Sequence, residues 1–143
     1  MKHITTLTIG AALALLPTLG SAWTAYNRHE VVPLGDGVFE VVSEVGSGPT
    51  DFWCGAGDYA YRQMRAAAVQ RLYLWRAIGP SVSRPGRKAV QFSLTPPPGA
   101  DLQPGFALSM NDVGDNLRAG AALLSTQDEV TPELFRRFVS ELG

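Results

Sequence analysis

Residues Thr50 to Met64 read TDFWCGAGDYAYRQM and hold the one cysteine of the chain, Cys54, between a tryptophan and a pair of glycines. A lone thiol in an oxidising compartment has four roles open to it: inert packing, a bridge to a second copy or a protein partner, attachment of a ligand or cofactor, and nucleophilic chemistry. Free cysteine is among the most buried side chains, which favours packing. A helix capped by Thr50 would place Cys54 about one turn inside, where unpaired amides and the helix dipole lower a thiol pKa. A nucleophile also needs a base, and beyond the leader the only imidazole is His29, 25 residues upstream. Asp58 follows Cys54 by four residues on the same helical face, and a carboxylate there raises a thiol pKa. The motif Trp53, Cys54, Asp58 therefore reads as structural or bridging first, with Cys54 and His29 as the candidate catalytic pair. Neither papain-like surroundings nor a paired-cysteine redox motif is present.

A second constellation is basic. Residues 59 to 100 carry seven basic side chains and no acid, whereas 23 to 58 sum to −5 and 101 to 143 to −4. Arg84, Arg87 and Lys88, in SRPGRK, are close enough in sequence to act together on an anion. Spread over a helix, a strand and a loop, the block as a whole reads more readily as solvated pairs with the acidic segments. One cysteine and one histidine do not fill a zinc site, and NDVGDN, residues 111–116, lacks the ligand alternation of a calcium loop. No cofactor or metal is expected. Nucleic acid is not expected as a partner of a mildly acidic exported chain without a recognition motif.

These residues must be positioned by a small domain. The leader MKHITTLTIGAALALLPTLGSA has the lysine, short apolar run and small-residue end of a cleavable signal peptide, with the cut expected after Ala22. Its apolar run is shorter than the roughly 20 residues that span a bilayer, and no later stretch is long enough either. Removing 22 of 143 residues leaves 121, the size of one domain spanning 23–143. The product is expected in the periplasm or secreted, and its core must hold without an internal disulfide.

Two short strands are expected around Gly35-Asp36-Gly37, the second with Phe39, Val41 and Val45 inward and Glu40, Val42 and Glu44 on the wet face. Pro33 places the first of them at an edge or ends it early. Helical spacing then links Phe52, Ala56, Ala60 and Met64, and the small residues Gly55 to Gly57 permit close approach to a sheet. Strands follow over 70–78 and 88–95, the latter alternating cleanly through Val90, Phe92 and Leu94. Weaker strands are read at 106–110 and 117–124. A final helix begins at Thr131 with Pro132, burying Leu134, Phe135, Phe138, Val139 and Leu142. Trp53, Phe92 and Phe138 are expected in the core. The order argues an α+β fold, a mainly antiparallel sheet with two helices packed on it.

With the leader, the segments GVFEVV, DFWCGAGDYA, RLYLWRAIGP and AVQFSL resemble a group of small uncharacterised exported bacterial proteins that share a DFWCGAGDYA-like segment. The likeness runs from about Val38 to Leu94. It implies export and a single bacterial domain, and carries over no activity and no catalytic residue. The expectation is a non-enzymatic binding or accessory protein. The alternatives are a thiol enzyme using Cys54 and an anion-binding module using Arg84, Arg87 and Lys88.

Overall fold

A computed structural model describes residues 21–102, 108–125, 136, 139 and 140. Within them runs a six-stranded antiparallel sheet ordered β1-β2-β3-β5-β4-β6. The strands are β1 (Trp23–Thr24), β2 (Glu30–Gly35), β3 (Val38–Val42), β4 (Arg71–Pro80), β5 (Lys88–Ser93) and β6 (Asn116–Arg118). Two helices, α1 (Pro49–Arg62) and α2 (Ala119–Leu123), pack on the sheet and against each other, which gives the expected α+β class.

The β2–β3 hairpin forms where its turn chemistry requires. Gly35, Asp36 and Gly37 all have positive φ, at 98°, 54° and 78°, a conformation that glycine adopts without steric cost and aspartate tolerates. β2 is not the edge strand: β1 pairs outside it through Trp23 and Thr24, leaving Pro33 beyond the end of that pairing. β5 lies between β3 and β4, and Val90 and Phe92 are fully buried, as their alternation requires. In β4, Leu72 and Leu74 are buried, and two register shifts beyond Leu74 bend the strand before Pro80.

One layer of core lies between the sheet and α1. Val31, Phe39, Val41, Leu72, Leu74, Val90 and Phe92 meet Phe52, Trp53, Ala56 and Ala60, with Trp53 set edge-on to Phe92 at 5.0 Å between ring centroids.

Further expectations are corrected. β3 ends at Val42, which is buried rather than wet, and Val45 beyond it is exposed rather than inward. Residues 117–124 are not one strand: the ladder ends at Arg118 and the alanine-rich AGAAL turns into α2, consistent with alanine's helix propensity. The part of 106–110 that is described, from Leu108 on, carries no strand. Glu40 does not face water; it is fully buried, because the loop after β4 folds over the second face of the sheet. The helix expected from Thr131 and the core position expected for Phe138 lie outside the described residues, apart from Arg136, Val139 and Ser140, which are helical and exposed, so Val139 is not buried as expected.

Candidate functional site

The cap of α1 lies two residues before Thr50. Gly48 is its N-cap in an extended conformation, Pro49 occupies the first helical position, and the Asp51 carboxylate accepts the Gly48 N–H at 2.8 Å. Pro49 lacks the amide proton that would be orphaned there anyway, so the start is favourable. Thr50 is thus inside the helix. Cys54 sits in the second turn, past the first-turn amides that would attract a thiolate.

Seven consecutive residues, Phe52 to Asp58, are buried. A helix buried this way is enclosed on all sides rather than amphipathic. The sheet covers one side. α2 covers another, so close that a Cβ on Gly57 would lie 2.9 Å from Ala119 O and Ala122 C and nearer still to Leu123 N. The segment Tyr26–His29 closes a third side, where a Cβ on Gly55 would meet Val41 Cγ1 at 3.2 Å and His29 Cβ at 3.6 Å. The two glycines therefore serve different neighbours, and only Gly55 faces the sheet side.

Each polar member of the motif is tied to a distant segment. Trp53 Nε1 donates to Ser109 O at 2.6 Å. Cys54, with no exposed surface, donates from Sγ to Leu123 O at 3.4 Å. Asp58 Oδ2 accepts the Tyr26 N–H at 2.7 Å. Arg62 Nε comes within 2.8 Å of Oδ1 as an ion pair, but off the line that a hydrogen bond requires, so this buried oxygen has no aligned donor. Burial pushes the Asp58 carboxyl above the usual aspartate range, and the Tyr26 amide and Arg62 offset this only in part.

The structure does not bring His29 to Cys54 as a base. His29 follows the β1–β2 turn, buried, with its ring edge-on to Phe52. Nδ1 lies 3.2 Å from Asn27 O and Nε2 2.7 Å from Ser47 Oγ. A carbonyl only accepts, so Nδ1 carries a proton, and Nε2 meets the Ser47 hydroxyl, whose oxygen takes the Glu44 N–H at 2.8 Å. Both nitrogens are spent on loop geometry.

Arg84 and Arg87 lie in the β4–β5 connection, closed by Ser81 N–H to Arg87 O at 2.8 Å, and Lys88 opens β5. Arg84 Nε pairs with Glu30 Oε1 at 2.6 Å and Arg87 Nη2 with Glu44 Oε1 at 3.0 Å, so the two guanidinium groups reach over to β2 and to the segment after β3. Lys88 is exposed.

Nothing beside Glu40 in the chain marks it as buried. Its carboxylate accepts the Ser81 hydroxyl at 2.5 Å, the Val82 N–H at 3.1 Å, the Ser83 N–H at 2.9 Å and the Ser83 hydroxyl. Burial alone would raise this carboxyl, but the donors of Ser81, Ser83 and Val82 outweigh it and hold it below the usual glutamate range. The only available signal was the pair of hydroxyl donors in Ser81-Val82-Ser83. Among the described residues no three His, Cys, Asp or Glu side chains group as metal ligands, and no helix is long and apolar enough to cross a membrane.

Comparison with protein-family models, with curated proteins and with solved structures finds no match.

Proposed function

We propose that this chain is an exported bacterial domain acting as a non-enzymatic binding or accessory protein, and that Cys54 is part of its scaffold. The observation that carries this reading is the use made of the chemically capable groups: Cys54, His29, Asp58 and Glu40 are all buried, and each hydrogen-bonds a neighbouring or distant stretch of chain. A thiol enzyme needs an accessible thiolate beside a base. Here the sulfur points at the Leu123 carbonyl and the imidazole at Ser47. A bridge between two copies would likewise require α2 to move away from α1. Export is supported by the order of residues in the leader.

The test is the intact mass of the exported protein under non-reducing conditions, with and without iodoacetamide in native buffer. The expected result is a monomer beginning at Trp23 that alkylates only after denaturation. A disulfide dimer, a covalent adduct or rapid native alkylation would overturn the scaffold role and return Cys54 to the centre of function.

A further inference from the structure

We infer that Arg71 and Arg118, opposite each other at the β4–β6 edge, form a binding site for an oxyanion of the phosphate type. The inference rests on the binding reading above. It begins with register. Arg71 pairs with Arg118, Leu72 with Leu117 and Tyr73 with Asn116. The Ala119 N–H donates to Gln70 O at 2.8 Å, which brackets Arg71 and Arg118 as a non-hydrogen-bonded pair, the closer kind, with Cα atoms about 4.5 Å apart. Leu72 points into the core, so both arginines leave the opposite face, side by side.

Like charges placed directly opposite destabilise a ladder, and no other pair in the register of this sheet sets like charges opposite each other. Arg62, Arg84 and Arg87 each have a carboxylate, whereas Arg28, Arg65 and Arg76 stand exposed and singly. Among the described residues no carboxylate pairs with Arg71 or Arg118. Asp115, the acid just before β6, accepts the Asn116 N–H on Oδ1.

Arg71 is also held in place. Asn116 is buried and fully engaged: Nδ2 donates to Leu102 O at 3.0 Å and to Gly114 O at 3.1 Å, and Oδ1 accepts Arg71 Nη1 at 3.0 Å. An amide fixed on its other atoms orients one guanidinium and leaves that group's remaining donors for a ligand, while exposed Arg118 supplies a second fork. Two planar donors on one strip match the geometry of a phosphoryl group. The same chemistry is presented by a soluble phosphate ester and by an anionic lipid head group.

The experiment uses the exported protein, wild type and the variants R71Q, R118Q and R84Q, in low salt. Thermal unfolding is followed with and without pyrophosphate, and flotation is measured with vesicles of phosphatidylcholine alone and with added phosphatidylglycerol. Pyrophosphate should raise the melting temperature of wild type and R84Q, with affinity about tenfold or more weaker in R71Q and R118Q, and the effect should fade as salt rises. Without ligand, R118Q should melt no lower than wild type, since the repulsion is relieved. Flotation on the anionic vesicles that R71Q and R118Q abolish would also support the site and identify the lipid as its source. Equal responses in all four proteins, loss in R84Q alone, or no response to either probe would overturn it. The alkylation experiment decides the scaffold reading separately.

Discussion

Replacing Gly57 by alanine, and separately Gly55 by alanine, isolates the contact that organises α1. Both substitutions gain helix propensity of about 1 kcal/mol, because glycine is the poorest ordinary residue in a helix interior. They differ in what the new methyl meets. At Gly55 it meets side chains at 3.2–3.6 Å, Val41 and His29 among them, which can yield by a few tenths of an ångström. At Gly57 it meets the backbone of α2, with Ala119 O and Ala122 C at 2.9 Å and Leu123 N nearer. Backbone cannot rotate away, so α2 must retreat as a unit, loosening the Cys54 Sγ to Leu123 O bond and that from Ser125 Oγ to Thr50 O. Overpacking of this kind costs about 1–3 kcal/mol or more, and the lost bonds add about 0.5–1.5 kcal/mol each. After the propensity gain, G57A should be destabilised by about 1–5 kcal/mol and G55A by close to nothing. For a domain of this size each kcal/mol shifts the melting temperature by about 3–5 °C. Urea unfolding read by tryptophan fluorescence, with the same midpoint order in thermal melts, measures the difference. A G57A protein as stable as G55A would refute the close helix contact and the account of the motif built on it.

Phe92→Ala removes a fully buried ring that stacks on Phe39 and meets Trp53 edge-on; a loss of about 3–5 kcal/mol is expected in urea unfolding, and a melt within a degree or two of wild type would contradict the core assignment. The two buried carboxylates act on stability with opposite sign in pH. Glu40 is held below its ordinary value, so its contribution is present above the unfolded-state pKa and is lost as pH falls through the folded one; E40Q should flatten the acid limb of a stability–pH curve. Asp58 is raised, so stability falls as pH climbs from the ordinary aspartate range through its folded value, and D58N should remove that decline. Variants whose profiles parallel wild type would show that these carboxylates do not carry the shifts.

What was legible in the sequence was local. The Gly35-Asp36-Gly37 turn and the alternation from Ala89 to Ser93 placed β2, β3 and β5, because turn φ angles and a period of two depend only on neighbouring residues. The helix carrying Cys54 was legible as an element, but its cap was misplaced by two residues, since Thr50 is the commoner capping type and Gly48 caps with its backbone alone. The burial of Asp58 and Glu40 was not legible. Asp58 is matched to Tyr26, 32 residues earlier, and Glu40 to hydroxyls and amides 41 to 43 residues later; a carboxylate is read as solvated until its donors are known. Ala119–Leu123 was read as a strand although alanine favours helix, and the case for a helix there lies at Gly57, more than sixty residues away.

The enclosure of α1 has a consequence for when this domain can fold. Trp53 and Cys54 find their acceptors 56 and 69 residues further along the chain, at Ser109 and Leu123. A nascent chain that has emerged only as far as β5 holds the hairpin strands and the helix, yet leaves the indole N–H and the thiol unmatched and one side of the helix bare. Closing so large a loop costs chain entropy, so the enclosure of α1 is completed only once Ser109 and Leu123 have been made.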